Sequence, residues 1–312
     1  MKEILVVGGA NVDLVGIPDK PLRIRDSNPG KISVSFGGVG RNIAHNAVLA
    51  GAKVELATIF GNDLLGTSCA EDCRRVGIRL THSRFSSTHA SSMYLAVLDA
   101  GRDMHLAISD MEILDELDEE RLVPVISSLD EQDFCVLDTN LKQEVIETLS
   151  EAGRCRFALD PISTRKALKA KHLLHRFHVL KPNRYEAEVL LDMKIETLQD
   201  VHTALNRFIE IGIAEVIISL GEDGIAASNG VDVVLLKMVP ERVVNATGAG
   251  DCFLGAYLAE RLRSDDFVHC LSYALAASVL TIQKEETVVQ DLNDEKIRAF
   301  LLEHPVERKN LT

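Results

Sequence analysis

Short apolar runs recur along the chain, each closed by a glycine or polar cluster. Between them lie segments whose apolar residues return every three or four positions. ILVVG, ending in Gly8-Gly9, predicts a strand over 3–8. Similar runs predict strands over 53–60, 134–137, 155–159, 177–180 and 216–220. The last four end in Asp138-Thr139-Asn140, Asp160-Pro161, Lys181-Pro182-Asn183 and Gly221-Glu222-Asp223-Gly224. Helical spacing predicts helices over about 63–76, 266–282 and 293–303. Strands alternating with helices imply an α/β fold with a mostly parallel sheet, which binds ligands beyond the carboxyl ends of its strands. Residues 91–108 break this rhythm. Met93, Leu95 and Val97 alternate with polar or small residues, the chain turns at Ala100-Gly101, and Met104, Leu106 and Ile108 alternate back. That is a β-hairpin with one apolar face, which is expected to be covered. A smaller hairpin is predicted at 225–228 and 233–237.

Composition narrows the partners. The 312 residues carry 34 Lys and Arg against 47 Asp and Glu, a formal charge of −13. Such a chain is a poor ligand for nucleic acid or an anionic membrane. No apolar run reaches the ~18 residues of a membrane span, and MKEILVVGGANVD is interrupted too soon for a signal segment. The six cysteines show no CxxC spacing, and several lie in apolar runs. They read as buried free thiols of a reducing compartment, so a cytoplasmic location is expected. The first strand ends in glycines, but GxGxxG is absent and Asn11-Val12-Asp13 continues extended, which counts against a nicotinamide enzyme.

Chemistry concentrates in VVNATGAGDCFLGAY, residues 243–257, which reads as a strand end, a glycine turn and the start of a helix. Gly248 and Gly250 let a bulky ligand approach the backbone, and the open amides of a helix start form an anion site. Asp251 stands in that first turn. A carboxylate beside an anion hole makes sense if it faces a hydroxyl that loses a proton while attacking a phosphate. The same residue can also simply favour the helix start. Asn183-Arg184-Tyr185-Glu186 follows a strand and sets Asn183 and Glu186 on one face, which suits either a capping box or a Mg²⁺ held through water. Gly221 and Gly224 in SLGEDG would let phosphates lie against the backbone.

TGAGD at 247–251 resembles the C-terminal signature of the PfkB (ribokinase-like) carbohydrate kinases, and GGVGRNIAHNAVLAG at 37–51 resembles the N-terminal one. The two stand in the expected order and the resemblance covers essentially the whole chain. It implies a single kinase domain over 1–312 with a ribokinase-like three-layer fold: a central sheet between helices, and a small β-sheet lid built from about 12–36 and 88–109. It implies ATP-dependent phosphorylation of a hydroxyl, with Asp251 as base and Gly248, Ala249 and Gly250 as anion hole. An Asp of ordinary acidity is a weak base, so a late role in orienting the hydroxyl is expected. Asn11, Asp13, Gly37, Gly38 and Asn42 would hold the sugar. Asn183, Ser219, Gly221, Gly224, Gly248 and Gly250 would meet ATP, Glu186 would hold Mg²⁺ through water, and the helix around 274–282 would flank the adenine.

Within the family, the stretches 25–51, 91–112, 180–190 and 243–251 resemble nucleoside-phosphorylating members most, and the first two include the lid. Ser27, Asn28, Ser91 and Ser92 are therefore the candidates for contacts to the base. Ribose and other nucleosides remain alternatives, as does a non-catalytic nucleoside-binding regulator. Asp160 and Lys166 are further candidates for ordering phosphate or metal. The family mechanism gives His45 no role, and all ten histidines are read as structural or surface groups. Members that use a monovalent cation commonly carry Asp six residues before the catalytic Asp. Asn245 stands there instead and weakens the case for K⁺. The oligomeric state is left open between monomer and homodimer.

Overall fold

A computed structural model describes residues 2–101 and 103–311. Among the described residues fifteen strands are formed. They are β1 Ile4–Val7, β2 Asn11–Pro18, β3 Gly30–Gly37, β4 Val54–Ala57, β5 Ile59–Gly61, β6 Arg84–Ser86, β7 Met93–Leu98 and β8 Met104–Asp110, then β9 Phe134–Asp138, β10 Arg156–Asp160, β11 Val179–Leu180, β12 Glu215–Ser219, β13 Ile225–Ser228, β14 Val233–Lys237 and β15 Glu307–Asn310. The α-helices are α1 Val39–Leu49, α2 Leu64–Arg75, α3 Glu119–Ser127, α4 Gln143–Ser150, α5 Thr164–Ala167, α6 Arg184–Leu191, α7 Leu198–Ile211, α8 Ala249–Arg261, α9 Phe267–Ile282 and α10 Asp294–Glu303.

Nine strands form one sheet in the order β15-β14-β13-β12-β11-β10-β9-β1-β4. From β4 to β12 the pairing is parallel, and the last three strands are antiparallel. A parallel strand buried on both faces needs apolar side chains at every position, which is why β1 and β9 read as unbroken runs. The pleat divides them between two cores. Ile4, Val6, Phe134 and Val136 face α1, α2, α8, α9 and α10. Leu5, Val7, Cys135 and Leu137 pack with side chains of α3, α4, α6 and α7. This is the three-layer ribokinase-like arrangement.

A second sheet of four strands, β3-β2-β7-β8, stands apart from the large one. Asn11 pairs with Gly37 at its base, and Pro18 pairs with Gly30 at its far end. Two expectations need correction here. The run 53–60 is not one strand. The chain leaves the large sheet at Thr58, held there by Arg84 N–H donating to Thr58 O at 3.0 Å and Ser83 Oγ donating to Leu56 O at 2.6 Å. Beyond that point β5 pairs with β6 in a two-stranded sheet.

The apolar side of the lid hairpin is also not covered. Register places Val34, Leu14, Leu95 and Ile108 in one cross-strand row, and Ile32, Gly16, Val97 and Leu106 in the next. Ile32 is 79% exposed and Ile108 61%. Neighbouring residues of a strand point to opposite faces, so this side is turned away from the side that carries Asp13. Strand alternation was therefore a sound guide to the hairpin and a poor guide to what its apolar face meets.

Candidate active site

The ends of β1, β9, β10 and β11 meet the starts of α1, α6 and α8. Asp138, the last residue of β9, is fully buried. Its Oδ2 accepts from the amides of Gly9 at 2.8 Å and Gly40 at 3.0 Å, and its Oδ1 accepts from Asn140 N–H at 2.8 Å. One carboxylate thus joins two glycine turns, one after β1 and one at the start of α1. At the same place Gly38 has φ 96°, and a Cβ on it would stand 2.4 Å from Gly9 O, so only glycine fits.

Asn11, Asp13, Gly37, Gly38 and Asn42 come together here. Asn11 Nδ2 donates to Asp13 Oδ1, and Gly37 leaves room for that carboxylate. Burial pushes Asp13 up to about 6, while Arg41 and Asn11 pull it down. At neutral pH it is ionised and accepts hydrogen bonds. Asn42 bridges to the other half of the site: its Nδ2 donates to Asp251 Oδ2 at 2.9 Å.

Gly248 precedes α8 with φ 82°, and a Cβ on it would lie 2.2 Å from Thr287 O. No side chain caps α8; Ala249 N–H donates to Ala246 O at 3.4 Å, which leaves the amides of Gly250 and Asp251 open to a ligand. Burial, then the charge of Asp160, pushes Asp251 up to about 7 against the pull of Asn42 and Lys181. This departs from the expectation of an ordinary, weakly basic Asp. A carboxylate poised near neutral pH takes a proton more readily.

Asp160 ends β10, and its Oδ2 lies 3.4 Å from Lys181 Nζ. Lys166 reaches this region by donating to Asn140 Oδ1 at 2.6 Å. Asn183 and Glu186 form a complete capping box: Asn183 Oδ1 accepts from Glu186 N–H at 2.9 Å, and Glu186 Oε2 accepts from Asn183 N–H at 2.8 Å. Glu186 is buried, which raises its carboxyl above the ordinary range, and Oε1 is left outside the box. Ser219 sits beside Asn183 through the Ser219 N–H to Pro182 O bond of 3.0 Å. Gly224 must be glycine, since a Cβ would lie 2.2 Å from Leu236 O, whereas Gly221 has nothing within 4 Å. The open space over Gly221 suits a ligand lying on the loop.

Some candidates fall elsewhere. Ser27 and Asn28 lie in the exposed turn at the far end of the β2–β3 ladder from Asn11. Asn28 is spent on that turn, accepting from Arg23 N–H at 2.8 Å and donating to Arg23 O at 3.0 Å. Similarity along a stretch carries no distances, so it could not separate the base of the lid from its tip. Ser91 and Ser92, in contrast, line a small cleft with Asn11, Phe60 and Gly66. Ser91 Oγ donates to Asp63 Oδ1 at 2.7 Å, and Ser92 Oγ donates to Asp110 O at 3.0 Å. Their oxygens keep lone pairs free to accept.

Asn245 donates from Nδ2 to Glu285 O at 2.8 Å and accepts from Thr247 N–H at 2.9 Å, joining two loops in a way an Asp could only half reproduce. His45 is buried without a partner for either ring nitrogen, and burial holds it down at about 4, hence neutral. Two groups were located by the sequence reading but given no role of their own. Asp138 and Lys181 each stand at the carboxyl end of a buried strand, and that placement was the available signal.

The sequence pattern of the pfkB family of carbohydrate kinases matches residues 1–293. The chain belongs to this family, whose members are phosphotransferases acting on a hydroxyl group. It is 30% identical to the pseudouridine kinase of Escherichia coli strain K12, over 93% of each chain. It is 29% identical to the guanosine-inosine kinase of Exiguobacterium acetylicum, over 92% of this chain and 96% of that one. A carbohydrate kinase from Agrobacterium tumefaciens superposes with a TM-score of 0.86 at 27% identity, over 99% of this chain and 100% of that one.

Proposed function

We propose that the chain transfers the γ-phosphoryl group of ATP to the 5′-hydroxyl of pseudouridine. The observation that carries the reading is the 30% identity with the Escherichia coli pseudouridine kinase across 93% of both chains. The Asn42–Asp251 bond supports it by tying the sugar side to the transfer centre at 2.9 Å.

Asn11, Asp13 and Asn42 hold the ribose, and Asp251 accepts the 5′-OH proton as that oxygen attacks phosphorus. The open amides of Gly250 and Asp251 take up charge on the transferring group, with Gly248 and Ala249 shaping the turn that presents them. Asn183, Ser219, Gly221 and Gly224 border the place for the nucleotide. A divalent ion fits the donor set. Among the described residues no group of three or more His, Cys, Asp or Glu stands ready to hold a metal, while Glu186 keeps Oε1 for a metal-bound water. Mg²⁺ bound there would offset phosphate charge. Asn245, locked between two loops, leaves K⁺ without the carboxylate it would favour.

Pseudouridine differs from uridine at the base edge, where it presents an N1–H in place of C–H. Ser91 and Ser92, which line a cleft with Asn11, are the candidate acceptors. An acceptor left unpaired by uridine would cost about 1–3 kcal/mol, or roughly ten- to a hundredfold in kcat/KM. A panel of pseudouridine, uridine, guanosine, inosine, adenosine and ribose competing for limiting ATP tests the assignment. Preferred phosphorylation of pseudouridine supports it, and equal use of uridine or ribose overturns it. The 29% identity with the guanosine-inosine kinase supports a second reading, a purine nucleoside kinase, and the same panel decides between the two.

A further inference from the structure

A buried lysine stands where the capping box, the carboxyl end of β11 and the anion loop meet. Lys181 is 6% exposed. An ammonium group has three protons to donate. Its carboxylate partner is Asp160, at 3.4 Å, which is long for an ion pair between side chains each 8% exposed. Burying a charge on so loose a contact is costly unless something else pairs with it.

On its other side lies the anion loop. A Cβ built on Gly250 would stand 3.1 Å from Lys181 Nζ, so the ammonium sits directly under that loop. Asp160, Glu186 and Asp251 all act on Lys181, in that order of strength. The charges of three carboxylates thus reach Lys181, with Asp160 alone in ion-pair range, and the negative charge of a bound nucleotide would add to theirs.

We propose that Lys181 is the fixed counter-charge of the transfer centre, held from behind by Asp160 and directed at the transferring phosphoryl group through the gap that Gly250 leaves. The inference rests on the phosphoryl-transfer reading of this site. In the step itself, the bond from the acceptor oxygen to phosphorus forms and the bond from phosphorus to the β,γ-bridging oxygen breaks. The acceptor proton goes to Asp251, and the electron pair leaves on ADP. Lys181 keeps its protons throughout and acts by charge and position alone.

Lys181→Met, Lys181→Arg, Asp160→Asn and the double variant Asp160→Asn/Lys181→Met test this, using whichever nucleoside the wild type phosphorylates. Lys181→Met should lower kcat by about 10²–10³-fold, the scale of one lost oxyanion-hole donor, with KM for the nucleoside little changed. Lys181→Arg should recover part of the loss. Asp160→Asn keeps the cation and should lose less than Lys181→Met. The double variant removes both buried charges, so its melting temperature should return towards wild type while kcat stays low. That separates a role in transfer from a role in balancing Asp160, and it carries the test should Lys181→Met fail to fold. A kcat within threefold of wild type in Lys181→Met, or a double variant that regains full kcat, overturns the inference. A wild type without kinase activity overturns the phosphoryl-transfer reading instead.

Discussion

In the proposed reaction Asp251 carries two opposed demands. As a base it must be ionised, yet burial and the charge of Asp160 hold its carboxyl up at about 7. The folded form therefore keeps a proton that the unfolded chain releases in the ordinary carboxylate range. Stability tied to this group is present at low pH and is lost as pH rises through about 7. Activity runs the other way, with kcat expected to climb across the same interval. Asp251→Asn should lower kcat by about 10²–10⁴-fold and should melt above wild type at pH 8 but level with it near pH 3. A pH–rate profile and melting curves at the two pH values check both halves. A variant that stays active would remove Asp251 from the chemistry.

At the scale of elements, α6 and the lid each carry a proposed purpose beside their place in the fold. The α6 capping box is complete, so Glu186 has a structural role whatever else it does. Glu186→Gln keeps an oxygen that can accept from Asn183 N–H. Its melting temperature should change little while the Mg²⁺ concentration needed for half-maximal rate rises. A superimposable Mg²⁺ titration would reduce Glu186 to a cap. The lid sheet offers two apolar rows to solvent, including Ile32, Val34, Leu106 and Ile108. Exposed patches of this kind mark interaction surfaces, and a second copy of the chain, bringing the same rows, is the occupant that the self-complementary chemistry suits. Light scattering after size exclusion should give a dimer, and Ile108→Asp should give a monomer. A wild-type monomer at micromolar concentration would refute this.

At the scale of the whole molecule, sequence pattern and structure agree where burial alone decides. Strands walled in on both faces leave continuous apolar runs, so β1, β9, β10 and β12 were legible from residue type. The glycine signatures were legible because Gly38, Gly224 and Gly248 occupy conformations or spaces that other residues cannot. What stayed hidden depends on three-dimensional distance. Lys181 could be placed at the end of a strand from the sequence, but its role needs the positions of Asp160 and Gly250 around it. Ser27 looked close to the site only because its stretch continues into Gly37.

The order of the large sheet has a further consequence at its outer rim. There β15, with the sequence ERKN and all four residues exposed, lies along β14, whose VVLLK is half apolar core and half open. The charged strand works as a bumper. It occupies the hydrogen-bonding edge that would otherwise recruit other chains, and it presents charged groups of both signs and an amide to any newcomer. A chain shortened after Pro305 keeps every residue of the site but lays bare a sticky, unpaired ribbon. Its light scattering should grow with time and concentration, well before any loss of the central parallel strands is seen by circular dichroism.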